Sequence, residues 1–305
     1  MVFLTIVRRA ALATLAVPAA LVLVSAAQPA PPPPRFVLAA SSGTASNVYL
    51  SGDGVRWSAG AAVTGTQAPA PVRRGGTLSL YDAATLAGSA LGGPVHPFAV
   101  RGGRLVASPA AAYQIQLASP EDAARAAPGP VPVSAAVDDN GALVLLYGLR
   151  YEPDSKACPV AGQACLKLRT ATETSARDGV TFTGDLGNRI VIGFDPADTV
   201  GPPALMRAEK GWVVLLQGPG GCLDVLTTSW PHGAYHDAGC ILDQGPAGPS
   251  GLWDARLGEY RLYGVADGRV VRAVTGSLKS VAPARFRPLA LPGRPSFVRV
   301  APYAP

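Results

Sequence analysis

Beyond residue 35, apolar positions almost never recur at the three- and four-residue spacing of an amphipathic helix. Ser119–Ala127 (SPEDAARAA) is the single stretch that predicts one, with Ser119 as N-cap ahead of Pro120 and Glu121. The rest reads as short β-prone runs broken by Gly, Pro and Asp, which predicts an all-β chain. The runs recur in a set order. An apolar strand begins near Pro71, Pro97, Val133, Pro203 or Pro249. A glycine turn follows, then a second strand after Gly76, Gly103, Gly141, Gly211 or Gly258. A third strand type ends in Ser or Thr, beginning at Asn47, Tyr113, Leu166, Leu223 or Val270.

Radial repetition of such units predicts a β-propeller of four-stranded antiparallel blades, five or six in number. Val298–Val300 is placed to pair with strands near Phe36–Leu50, which closes the ring and removes sheet edges. Two of the third-type strands lead into an Asp-Gly turn and an aromatic: Ser51-Gly-Asp53-Gly54-Val-Arg-Trp57 and Asp178-Gly179-Val-Thr-Phe182. Asp-Gly tolerates positive φ, so both read as turns, with Trp57 and Phe182 as packing residues.

Those residues resemble the Asp-box of sialidase-like propellers. The chain also resembles the five-bladed propellers of arabinanase and β-xylosidase type glycosidases, through Val137–Tyr147 and through Gly201–Leu215. The resemblance implies a glycosidase-like scaffold over most of 36–300. It also implies catalytic groups that this chain does not match. The arabinanase-like catalytic Asp falls at Pro132 or Val133, and the acid of its Glu-Gly-Pro motif falls near Val200 or Gly201. The sialidase Phe-Arg-Ile-Pro motif has only Pro34-Arg35-Phe36 as a counterpart.

The N-terminus adds an address. Arg8 and Arg9 precede an apolar segment, Ala10–Val24, and Ser25-Ala26-Ala27 fits the small-x-small cleavage rule. The expected organisation is a signal peptide over 1–27, a Pro-rich linker over 28–35 and a propeller domain over 36–305. The apolar segment is short for a span, which needs ~20 residues. The mature protein is expected to be secreted and extracytoplasmic, monomeric, with no stable membrane span. Cleavage leaves 24 basic and 20 acidic residues, a net charge of +4. The basic residues are scattered, with no Lys/Arg stripe, so a nucleic-acid partner is not expected. Four cysteines in an exported chain suggest two disulfides, with Cys158–Cys165 and Cys222–Cys240 favoured because each closes a local loop. Neither pair has CxxC spacing and no His completes a tetrad, which disfavours zinc.

Glycoside hydrolysis uses two carboxyl groups across the scissile bond. Asp138, Glu152, Asp195 and Asp237 are the catalytic candidates, with Asp139, Asp224 and Asp254 also considered. Asp138 and Asp139 sit beside Gly141 and read first as turn residues. Trp230-Pro-His232-Gly-Ala-Tyr235-His236-Asp237 is the densest polar-aromatic cluster. Trp230 and Tyr235 can stack on sugar faces, while His232 and His236 can bind hydroxyls. His232, His236 and Asp237 are also the metal candidates, although Pro231 and Gly233 oppose the helix that would align the two His. His96 is placed at a blade opening, where it would line the central channel. No cofactor is implied, and a structural divalent cation is allowed for. The reading is a non-catalytic carbohydrate- or ligand-binding propeller. The alternatives are an active glycoside hydrolase with a relocated carboxylate pair and a cell-envelope interaction scaffold.

Overall fold

A strand that is apolar on both faces must be covered on both sides. Leu143–Tyr151 shows how the chain meets this need: Val144 and Leu146 enter one core cluster, while Leu143, Leu145 and Tyr147 enter another. The computed structural model describes residues 33–303 apart from 102, 103, 154 and 280. The expected leader and most of the linker therefore lie outside the described residues.

The first sheet contains β1 (Phe36–Ser42), β2 (Ala45–Ser51) and β3 (Ser58–Thr64). The second unit is β4 (Ala70–Arg74), β5 (Thr77–Tyr81), β6 (Thr85–Ala87), β7 (Ala90–Arg101), β8 (Arg104–Ala107) and β9 (Ala111–Gln116). A single helical turn, α1 (Pro120–Ala123), follows where the sequence predicts helix. The third unit is β10 (Val133–Val137), β11 (Leu143–Tyr151) and β12 (Ala164–Glu173). Its outer edge is shared by β13 (Thr181–Gly184) and β14 (Ile190–Phe194). The fourth is β15 (Ala204–Arg207), β16 (Trp212–Gln217), β17 (Leu223–Thr228) and β18 (His236–Leu242). The fifth is β19 (Ala247–Asp254), β20 (Glu259–Ala266), β21 (Arg269–Thr275) and the short β22 (Arg287–Pro288). The last strand, β23 (Phe297–Pro302), returns to β1, pairing Leu38 with Val300 and Ala40 with Val298. Ring closure therefore follows the expected pairing.

The innermost strands β23, β4, β10, β15 and β19 pack each against the next around a closed circle. Five apolar clusters fill the five gaps between neighbouring units; Val37 and Leu50 meet Leu78 and Phe98 in one, for example. This is a five-bladed β-propeller.

Blade two departs from the expected repeat. The run after Gly103 is not a second strand: β8 pairs only with β7, as a short extension of its end. Pro97 does not open a strand; β7 is a single strand of 12 residues that runs through Pro94 and Pro97. The Tyr113 run is an outer strand, β9, whose partners are β7 and, in parallel, β13. Because proline does not start a strand here, Pro97 opens no further blade, and the count is five.

Both Asp-Gly loops join the third strand of a blade to its outer strand and fold alike. Asp53 Oδ1 accepts the amides of Val55 and Arg56, each at 2.8 Å. Asp178 Oδ1 accepts those of Val180 and Thr181, each at 2.9 Å. Gly54 and Gly179 sit at φ of 70° and 74°. A Cβ on Gly54 would also fall 2.4 Å from a guanidinium nitrogen of Arg261. Trp57 packs edge-on against Tyr263, and Phe182 is buried among Tyr81 and Tyr113.

Candidate functional site

The inner strands have a common direction, as their cross-contacts show: Ser134 Oγ accepts the Leu205 amide near the start of two of them, and Arg207 pairs with Asp139 at their ends. The propeller thus has an entry rim, where inner strands begin, and an exit rim, where they end. Among the described residues of these five strands, Asp254 is the one carboxylate. It is fully buried at the exit end of β19, paired with Arg35 and with Arg261. Toward the entry end Arg299 of β23 is buried and reaches to β19 and to the segment entering β15. Its guanidinium donates to the carbonyls of Pro203 at 2.9 Å, Pro202 at 3.1 Å and Pro249 at 2.9 Å. Burial pushes this guanidinium down from its ordinary range. Main-chain oxygens, which carry the negative end of the peptide dipole, solvate it.

The Trp230–Asp237 segment leaves β17 at the exit rim and brings a polar cluster together between blades three and four. His232 Nδ1 lies 2.6 Å from Asp185 Oδ2. Thr170 Oγ1 donates to the same carboxylate at 2.6 Å and Thr172 Oγ1 at 3.3 Å. Two residues apart on β12, these threonines share one face of the strand, which is why both reach Asp185. Arg189 donates to the carbonyls of His232 and Leu186, fixing both loops. Trp230 stands edge-on to the His232 ring, with centroids 5.4 Å apart, and is 55% exposed. Leu186 is exposed as well. Tyr235 is buried, and its hydroxyl donates to Pro231 O at 2.8 Å, so it pins the loop. Asp185, Arg189 and Thr172 were missed from sequence. Asp185 lies in an unremarkable loop 47 positions before His232, and nothing local marks it.

Burial alone would raise the Asp185 carboxyl. The hydrogen bonds from His232 and Thr170, with the charges of His232 and Arg189, outweigh burial and hold it below the usual carboxylate range. A carboxyl whose folded value is depressed adds stability that is complete above its unfolded value, about 3.9, and is lost as pH falls through the folded value. Wild-type protein is therefore expected to be more stable than Asp185→Asn at pH 5–6, with the gap closing below about pH 4. Thermal melts of both proteins from pH 2 to 6 check this, and a gap independent of pH would refute it.

The other candidates are dispersed. Asp138 is a turn residue whose carboxylate accepts the Asn140 and Ala142 amides. Glu152 is exposed at the opposite end of β11, 4.0 Å from Arg150. Asp195 is exposed and accepts the Ala197 amide at 2.9 Å. Asp237 and His236 are exposed on β18, and Asp237 accepts the Gly239 amide. Among the described residues, His232, His236 and Asp237 do not bring their ligand atoms to one point. His96 lies on β7, the third strand of blade two. It lines a groove of about 240 Å³ with Val63, Thr64 and Phe98, not the central channel, because Pro97 opens no inner strand. Asp224 is the one candidate carboxyl pushed up, first by burial and then by the charge of Asp237. Cys158–Cys165 and Cys222–Cys240 are both bonded, in the favoured pairing.

No protein-family model matches this sequence, and no curated protein does. Solved structures do match. One is an engineered glycoside hydrolase of family GH43, described as having both endo-xylanase and exo-arabinofuranosidase activity. It is 12% identical at a TM-score of 0.52, over 85% of this chain and 53% of that one. What this chain shares with that enzyme is the β-propeller fold. The chain spans about half the length of that enzyme. A Bacillus subtilis arabinanase matches at 11% identity and a TM-score of 0.44, over 73% of this chain and 77% of its own. A Trypanosoma rangeli sialidase matches at 13% identity and 0.40, over 79% of this chain and 47% of its own. The propeller has two disulfides, and no helix of its described residues is long and apolar enough to cross a membrane.

Proposed function

We propose that this protein is an exported propeller that binds a carbohydrate and does not hydrolyse it. The observation that carries the reading is the chemistry of the inner strands. Hydrolysis by the common route uses two carboxyl groups about 5–9.5 Å apart. The one inner-strand carboxylate among the described residues, Asp254, is buried and committed to Arg35 and Arg261. At the entry end the buried Arg299 guanidinium is likewise committed, to the carbonyls of Pro249 and Pro203. The cluster at the exit rim supports binding there. Trp230 offers an exposed indole face, and the Asp185–His232–Thr172 network beside it supplies oriented donors and acceptors. An aromatic platform flanked by fixed polar groups suits the apolar face and hydroxyls of a sugar. The two disulfides and the leader-like N-terminus support export.

Purified residues 28–305 are to be tested for turnover on arabinosides, xylosides, galactosides and sialosides, and for binding on a glycan array. No turnover is expected, and bound glycans are expected to dissociate about tenfold faster or more from Trp230→Ala, a loss of ~1.4 kcal/mol or more. Because Trp230 is half exposed, the variant's melting temperature should stay within a few degrees of wild type. Turnover that survives purification and disappears in Asp224→Asn would replace this reading with hydrolysis by a relocated pair, a reading that the raised Asp224 carboxyl favours.

A further inference from the structure

Beside the outer edge of blade four, the ligand atoms of Cys222, Asp224 and Cys240 lie within 4.8 Å of one another. Asp224 stands directly opposite Cys240 in the β17–β18 ladder, and register shifts occur on both sides of that pair. Bulges of this kind re-aim a side chain. Here they turn the carboxylate toward the bridge. Gly218 leaves the room: a Cβ there would lie 1.7 Å from Asp224 Oδ2. Among the described residues Asp224 makes no hydrogen bond or ion pair, so its oxygens are uncommitted. Cys240 is exposed on an outer strand, where an external thiol can reach it. Asp237 lies close enough to act on Asp224 by charge, which adds negative potential to the spot. Around Cys158–Cys165 no comparable group occurs among the described residues.

We propose that the Cys222–Cys240 bridge covers a latent zinc site, opened by reduction and completed by Asp224. A dithiol reductant supplies two electrons and two protons to the bridge, giving two thiols, and leaves as its own cyclic disulfide. Zinc then binds two thiolates and one carboxylate, and the two thiol protons pass to solvent. Zinc takes thiolate sulfur at ~2.3 Å and carboxylate oxygen at ~2.0–2.2 Å, so the sulfurs must part by less than about 2 Å from their bonded distance. Three protein ligands leave a fourth position for water. The sequence argued against zinc because neither cysteine pair has CxxC spacing and no His completes a set. The ladder register supplies an aspartate in its place.

The test uses zinc alone as probe, on the folded 28–305 chain carrying Cys158→Ser and Cys165→Ser, before and after phosphine reduction. A competing chromophoric chelator reads affinity. One equivalent is expected to bind after reduction and none before, and cobalt in place of zinc should show a thiolate charge-transfer band. Asp224→Asn, which keeps size and shape, should weaken zinc binding tenfold or more, while Asp195→Asn should not. If the serine background fails to fold, the same two Asn variants are compared in the reduced chain with all four cysteines. The proposal fails if reduced protein binds zinc no better than Cys222→Ser/Cys240→Ser, or if Asp224→Asn binds as wild type does. It fails equally if reduction unfolds the propeller.

Discussion

A chain ending at Ser296 is expected not to fold. The residues removed form the innermost strand of blade one, and Phe297, Val298, Val300, Ala301 and Tyr303 are all buried. At about 1.5–3 kcal/mol per large apolar side chain, Phe297, Val298 and Val300 alone approach the ~5–15 kcal/mol that keeps a domain folded. The loss goes beyond burial. The edge of β1 loses its partner, and Arg299 no longer ties blade one to the carbonyls of β19 and of the segment entering β15. An open sheet edge invites pairing between molecules. Thermal melts should show no cooperative transition, and size-exclusion chromatography should show aggregates. A cooperative melt within a few degrees of the full chain would show that the ring does not depend on its closing strand.

Asp254→Asn is expected to cost about 3 kcal/mol. Removing one partner of a buried ion pair typically costs ~3–5 kcal/mol, because the remaining charge stays in the interior. Arg261 keeps Glu259 at 2.9 Å and the carbonyl of Asp53, so the lower end of that range applies. Urea midpoints at constant slope give the measurement. Adding Arg261→Met to Asp254→Asn should recover part of the loss, since the stranded cation is then gone. A double variant that is the sum of its parts would mean that the two groups do not act on each other.

Much of this architecture was legible because blades are covered on both faces. Runs such as Leu143–Tyr147 carry apolar residues at successive positions, and short strands of this kind, separated by glycine turns, leave few alternatives. The closing pair Leu38–Val300 was legible for the same reason, and so were the local disulfides. Blade two was not. Its third strand runs through two prolines, and taking Pro97 as a strand start puts His96 at the channel, whereas it faces the gap between blades one and two. The candidate site was half legible. Trp230 and His232 stand out as a cluster, but their partner Asp185 comes from another blade, and only tertiary packing brings it near. Arg299 carried a signal that went unread: a lone cation between Val298 and Val300 in an otherwise apolar strand must be buried or solvated by the main chain.

The parallel pairing of Thr181–Thr183 on β13 with Gln114–Gln116 on β9 joins blades two and three into one continuous sheet. Around that junction Tyr81 donates to the Gly179 carbonyl at 2.6 Å, and Arg74 reaches across to Glu173. Two other gaps are each crossed by a main-chain bond, Tyr235 to the Arg189 carbonyl and Val281 to the Ile241 carbonyl, whereas this one carries a ladder of three residue pairs. The ring is therefore uneven in stiffness. Blades two and three are expected to move together, and hydrogen exchange should protect the β9 and β13 amides of this junction more than the single bonds across the other gaps.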